Sequence, residues 1–189
     1  PDGLALVNGD DPRIAANLQR SPCRALRYGL NPDFDYWADQ ISYDPKGASF
    51  VYHHGGESGV FSTHLLGRHM VSNILASLAV ADQLGLSLAQ MQRAVKALQP
   101  IEHRLQLRPA GTYSVIDDAF NANPAGAQAA LEVLAAFSGG QKIIVTPGMV
   151  ELGQREYELN FELGRQMAAV CDWIILVGPA QSRPLREGA

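Results

Sequence analysis

Cysteine is almost missing from this chain. The two that occur, Cys23 and Cys171, lie far apart and form neither a disulfide framework nor a metal-ligand pair by spacing, so a reducing, cytoplasmic setting is expected. Long apolar runs are missing too: residues 65–81 are interrupted by Arg68, His69, Ser72, Asn73 and Ser77, which rules that stretch out as a bilayer span. No signal peptide is visible. Charge of one sign is also lacking: 15 Lys and Arg stand against 19 Asp and Glu, a net charge of −4 with the signs interspersed. Without a basic patch, neither nucleic acid nor an anionic membrane is expected as a partner, and small molecules are. No G-x-x-x-x-G-K-[ST] loop occurs, which excludes the usual phosphate cradle and its Mg²⁺-binding hydroxyl from this chain, and no G-x-G-x-x-G fingerprint follows a strand.

What is present is a core. With 189 residues, 47% of them hydrophobic, the chain can build one large domain or two small ones. It opens on Pro1 rather than Met, and residues 3–7 read as a strand already inside a domain, so it reads as a piece of something longer. That strand ends in the polar Asn8-Gly-Asp-Asp-Pro12, followed by a short helix over 14–18. Strand-like runs at 25–28, 36–43, 48–53 and 59–64 are separated by Asn31-Pro32, Asp44-Pro-Lys-Gly47 and Gly55-Gly56, which predicts an antiparallel meander. Lys46 in the second turn is most simply a solvated lysine. Two helices come next. One spans 68–84, with Val71, Leu75 and Leu78 on a stripe and Gly85 as its stop. The other opens on the capping-box pattern Ser87-Leu-Ala-Gln90, carries Leu88, Met91, Val95 and Leu98, and ends at Pro100.

A domain boundary is placed near residues 99–105, giving domains 1–102 and 103–189. Beyond it the pattern alternates: strand 113–117, helix 124–137, the Gly139-Gly140 break, strand 142–146, helix 157–170 and strand 173–177, with a further helix beginning at 181–188. That is a βαβαβ unit with a parallel sheet, one part of a doubly wound domain. Trp173 and Phe161 read as core because their neighbours are apolar.

The stretch richest in chemistry is Val115-Ile-Asp-Asp-Ala-Phe-Asn-Ala-Asn-Pro124. Asp117 and Asp118 stand at the carboxyl end of a strand, where open α/β sheets place ligands; Asn123 suits an N-cap and Pro124 the first helical position, so free N–H groups point outward. The plainer alternative is a capped helix behind solvated acids. His69 and Asn73, four apart, share a helical face, and an amide can pair with the donor and acceptor edge of adenine; an ordinary surface pair is the alternative. Arg104 can make fork-shaped contacts with phosphate or can simply pair with Glu102. His53, His54 and His64 with Glu57 offer metal-binding groups, but adjacent residues on a strand point to opposite faces, so no metal site is assigned.

Taken in order, these motifs resemble the Mur ligase family, the ATP-dependent amide ligases of peptidoglycan synthesis. Gly67-Arg-His-Met-Val-Ser-Asn73 looks like its adenine-contacting helix, and Glu102-His-Arg104 before Val115-Ile-Asp-Asp118 looks like its junction between central and C-terminal domains. Asn121-Ala-Asn-Pro124 and Pro147-Gly-Met-Val-Glu-Leu-Gly153 resemble the branch that adds D-alanyl-D-alanine to UDP-N-acetylmuramoyl-tripeptide. The resemblance implies an α/β chain: the C-terminal part of a central ATPase domain, then a partial Rossmann-like parallel-sheet domain. It implies ATP and Mg²⁺ as cofactors, with the phosphate loop, the Mg²⁺-binding acid and a carbamylated lysine upstream of Asn8. It implies a monomer. It assigns Asn73 to adenine, His69 to the nucleotide, Arg104 to the phosphates or ribose, Asp118 to the ribose hydroxyls, and Asn121 and Asn123 to the incoming dipeptide or the shape of its site. No residue here is assigned a catalytic or metal-binding role, and the chain alone is expected to be inactive.

Three positions depart from the family pattern. Gly148 stands where the branch usually has an acid, Asn160 lies near where a His is expected, and Met70 follows His69 where Asn is common. A ligase with a different acceptor, or a noncatalytic module that keeps the scaffold to bind nucleotide or a partner, is therefore the alternative expectation.

Overall fold

The computed structural model describes residues 3–44 and 46–189, so Pro1 and Pro45 of the Asp44-Pro-Lys-Gly47 turn lie outside the described residues. The chain divides into two compact units, Pro1–Gln99 and Pro100–Ala189.

The first unit is built on a five-stranded sheet whose strands follow chain order: β1 (Leu4–Asn8), β2 (Arg24–Gly29), β3 (Tyr36–Asp44), β4 (Gly47–His54) and β5 (Glu57–Thr63). A short helix, α1 (Pro12–Asn17), follows β1. The expected meander covers only β3 to β5, which pair antiparallel; β1–β2 and β2–β3 are parallel. The connection after β1, residues 9–23, is long enough to carry the chain back across the sheet, as a parallel neighbour requires, whereas β2 and β3 pair only through Tyr28–Tyr36 and Gly29–Trp37, which the short link over 30–35 can bring together. Gly47, which opens β4, has a φ of +136, and a Cβ there would sit 2.0 Å from the Thr63 carbonyl oxygen.

Helix α2 (Arg68–Gln83) lies on this sheet because its stripe is apolar: Val71, Ile74, Leu75, Leu78 and Ala79 are buried with Tyr36, Phe50, Tyr52 and Phe61. Each of the larger of these side chains contributes about 1.5–3 kcal/mol through burial. Phe50 and Phe61 stack at 5.5 Å between centroids, and Tyr52 meets Phe61 edge-on. Gly85, at φ +80, stops the helix as expected; its N–H donates to the Asp82 carbonyl and Leu86 donates to Ala81. Helix α3 (Leu88–Lys96) begins with the Ser87 amide donating to Gln90 Oε1 at 2.8 Å.

In the second unit, β6 (Gln106–Ala110) and β7 (Tyr113–Asp117) form an antiparallel hairpin around Gly111, and β8 (Ile143–Thr146) and β9 (Trp173–Leu176) form a parallel pair. The helices are α4 (Pro124–Ala136), α5 (Glu156–Val170) and α6 (Ser182–Gly188). The mixed α/β class with parallel strands is as expected, but the pairing differs. Within the described residues, β7 bonds only to β6, so the three parallel strands of a continuous βαβαβ sheet are not joined. β6 pairs antiparallel with β7, and its Arg108 and Pro109 had hidden it as a strand.

The assignment of Trp173 and Phe161 to the core is also corrected. Trp173 is 60% exposed and Phe161 39%. Side chains alternate along a strand, and the core of Leu131, Met149, Leu163, Met167 and Leu185 packs against Ile144, Ile174 and Leu176 on one face only. Ile143, Val145, Trp173 and Ile175 line the other face and are exposed.

Candidate functional site

In the first unit, Gly67 (φ +99) turns the chain into α2 so that His69 and Asn73 emerge from its first two turns, both exposed. Asn73 Nδ2 lies 3.9 Å from the Met70 sulfur. Asn73 stands at a groove of about 280 Å³ whose walls are Leu65, Met70, Ile74, Leu86 and Leu98, with Ser77 as a further polar group. An apolar slot with one amide and one hydroxyl suits a flat heteroaromatic ring. His69 is not part of its wall.

At the carboxyl end of β1, the polar run is ordered by its own acids. Asp10 N–H donates to Asn8 Oδ1, and the Asp10 carboxylate accepts the Leu30 amide at 2.9 Å. Arg13 binds Asp11 at 2.7 Å and, with the Arg13 amide, holds that carboxyl down at about 2. The histidines of the meander do sit on opposite faces: His53 stacks on Trp37 and contacts Asp39, while His54 stacks on Tyr36 and lies 3.4 Å from Asp82. Burial and the Asp82 acceptor push the Tyr36 hydroxyl up to about 12.

In the second unit, Arg104 and Asp118 are brought together through one turn. Leu105 N–H donates to Asp118 Oδ1 at 3.1 Å, and Phe120 N–H donates to the His103 carbonyl. The Arg104 guanidinium lies over the Phe120 ring at 4.1 Å, a cation–π contact, and makes no ion pair with Glu102 among the described residues. His103 and Leu105, on either side of Arg104, both have left-handed backbone (φ +60 and +44). This over-determined turn seats the arginine on the Phe120 ring and ties its two neighbours, His103 and Leu105, to the strand-end carboxylates.

Asp117, which the sequence reading placed only at the strand end, fixes that turn. It accepts from His103 Nδ1 at 3.0 Å, from Arg108 at 3.3 Å and from the Ala119 amide. Partial desolvation works to raise its pKa, but these donors outweigh it and hold the carboxyl below the ordinary aspartate range. Neither the Asp117 cluster nor the Phe120 seat of Arg104 was visible in spacing, because both depend on the left-handed residues. Asn123 caps α4, accepting the Gly126 amide at 2.9 Å; Asn121 is exposed in the same turn.

A third arrangement lies after β8. Asn160, fully buried, accepts the Met149 amide at 2.8 Å and donates to the Met149 and Glu156 carbonyls. Gly148 is at φ +85, and a Cβ there would sit 2.8 Å from Asn160 Oδ1. Gly148 and Asn160, two of the positions noted above as departing from the family pattern, therefore pack against one another.

Both units match known ligase domains. Residues 1–81 match the Mur ligase middle domain, and residues 103–189 match the Mur ligase, glutamate ligase domain. The chain belongs to the Mur ligase family. A UDP-N-acetylmuramoyl-tripeptide--D-alanyl-D-alanine ligase of Mycobacterium bovis is 30% identical across 95% of the chain. MurF from Acinetobacter baumannii superposes on the whole chain with a TM-score of 0.86 at 30% identity. MurF from Thermotoga maritima, solved with ADP, superposes on 97% of the chain at 0.82 with 23% identity, a likeness of fold. The chain spans 37% of the first of these relatives and 41% and 42% of the two structures.

Proposed function

We propose that the full-length protein is an ATP-dependent amide ligase of peptidoglycan precursor synthesis that joins D-alanyl-D-alanine to UDP-N-acetylmuramoyl-tripeptide through an acyl phosphate. The observation that carries this reading is the pinned Glu102-His-Arg104 turn: the residues on either side of Arg104, His103 and Leu105, are bonded to the strand-end carboxylates of Asp117 and Asp118, in a unit whose MurF likeness extends over its full length.

The groove at Asn73 fits adenine, with Met70 and Leu65 against the ring and the Asn73 amide toward its edge. His69 stands near the same helix start. Arg104 offers a planar cation for phosphate or ribose oxygens, and Asp118 offers carboxylate acceptance to ribose hydroxyls. Asn121 and Asn123 shape the turn on the dipeptide side. ATP, when bound, supplies the phosphoryl group that activates the carboxylate. Mg²⁺ is assigned, on the family resemblance alone, to the part of the enzyme upstream of Asn8. The residues of this chain bind, orient and exclude water, which protects an intermediate that would otherwise hydrolyse. The protein acts in the cytoplasm as a monomer, and this segment alone is inactive.

The test is phosphate release by the full-length protein with ATP, Mg²⁺ and UDP-N-acetylmuramoyl-tripeptide, with and without D-alanyl-D-alanine. Release that requires the dipeptide, with the matching mass gain on the nucleotide substrate, supports the ligase. No release sinks it. In the same assay Asp118→Asn, which keeps an oxygen to accept the Leu105 amide, should raise KM for ATP while the circular dichroism spectrum stays unchanged; an unaltered ATP dependence rejects the ribose role.

A further inference from the structure

Resting on the ligase reading, we infer that Glu151 recognises the ammonium group of the amine substrate, and that Asn160 is the positioning residue that holds it there.

The loop that carries Glu151 leaves the carboxyl end of β8, the ligand-binding end of a parallel α/β sheet. It is clamped at both of its ends. Before Glu151, the Met149 peptide is held on both its N–H and its C=O by the buried Asn160 side chain, and Met149 itself is buried. Thr146 Oγ1 accepts the Gly148 amide at 3.1 Å, which pins the entry to the loop. After Glu151, the Leu152 amide reaches Glu156 Oε2, and Glu156 Oε1 accepts from Gln181 at 2.7 Å. Gln181 Oε1 lies 3.4 Å from Asn160 Nδ2, so the loops after β8 and after β9 belong to one polar network.

Between these clamps Glu151 has a φ of +62, a left-handed conformation that glycine would adopt without strain. Its side chain gains nothing from the fold in return. Glu132 accepts from Gln128, Glu156 from Gln181, Glu158 from Arg155, Glu162 from Arg165 and Glu187 from Arg183, while Glu57 and Glu102 share the lack of a partner among the described residues but not the left-handed backbone. Among the described residues Glu151 has no hydrogen bond or ion pair and is exposed. Backbone strain persists where the surroundings over-determine it, and here they over-determine a position whose carboxylate is left open to a cation from outside. In a reaction whose second substrate is a dipeptide amine, the cation of matching chemistry is the substrate ammonium.

The experiment uses the full-length enzyme and three variants, Glu151→Gln, Glu151→Gly and Asn160→Ala, with KM measured separately for D-alanyl-D-alanine, ATP and the nucleotide-linked tripeptide. Glu151→Gln should raise the dipeptide KM by roughly tenfold or more, the loss expected for a charged hydrogen bond, with the other two KM values within about twofold. Propionyl-D-alanine, the dipeptide without its amine, serves as a competitive inhibitor. The wild type should discriminate against it, and Glu151→Gln should bind it and the dipeptide about equally. Glu151→Gly separates recognition from structure: it relieves the left-handed strain, so its melting temperature should not fall while its dipeptide KM rises. Asn160→Ala should raise the dipeptide KM as well. Dipeptide KM values within about twofold of wild type in both Glu151 variants, in an enzyme that still turns over, overturn the inference and leave the ligase reading standing. A wild type that releases no dipeptide-dependent phosphate removes both.

Discussion

The two units hold their shapes by different means. In Pro1–Gln99 a single sheet and α2 enclose an aromatic and aliphatic cluster in which Tyr36, Phe50, Phe61, Val71 and Leu75 are essentially inaccessible. In Pro100–Ala189 the strands form two separate pairs, one sheet face is open, and the decisive local geometry is set by buried or half-buried polar groups: Asn160 on Met149, Asp118 on Leu105, Asp117 on His103. A hydrophobic core tolerates substitutions of similar volume, whereas a polar clamp fails when either partner is lost. The first arrangement provides stability, and the second fixes backbone at the ends of strands, where ligands bind.

The comparison is broken most sharply by a cavity. Leu75→Ala should destabilise the first unit by about 3 kcal/mol, read as a lower urea midpoint for the transition of that unit, with the second unit unmoved. A common shift of both would show that the units are not energetically separate. Asn160→Ala comes next: it strands the Met149 amide and carbonyl in a buried place and should cost about 2–3 kcal/mol, seen in the second unit alone. Gly148→Ala should cost about 1–3 kcal/mol there, because its Cβ meets Asn160 and the Gln181 side chain at a positive φ. Ser87→Ala removes a helix cap in the first unit and should cost about 1 kcal/mol.

The smallest effect is the pH dependence from Asp117. Its folded-state pKa lies below the unfolded value, so the stabilisation is present above the unfolded pKa and fades as pH falls through the folded one. Acid titration of the second unit should show this loss below the ordinary aspartate range, and Asp117→Asn should abolish it. A transition unchanged by that substitution would show that the turn is held without the charge.

Local patterns were legible where one chain segment decides the outcome. Gly85 stops α2, Ser87 and Gln90 open α3, and Asn123 with Pro124 opens α4, each because capping uses groups only a few residues apart. The strands of the first unit were legible from their alternation and turns. Pairing was less so: β6 carries Pro109 and an exposed Arg108, and nothing in its sequence shows that it takes the edge of β7. Trp173 and Phe161 were misassigned because apolar neighbours say that a face exists, not that something covers it. In the candidate site, the residue types at 104 and 118 were readable, but their union through Leu105 was not, since it requires left-handed backbone at His103 and Leu105.

The chain has two tryptophans, and the fold assigns one to each unit. Trp37 is stacked on His53 at 3.7 Å, with Asp39 behind that ring, while Trp173 stands in solvent on the open face of β9. Indole emission is sensitive to both situations, so the molecule carries two native fluorophores in contrasting surroundings. Replacing either one with phenylalanine would leave a single-colour reporter of the other unit. The first would report on the packing of its imidazole neighbour, and the second on anything that comes to cover it.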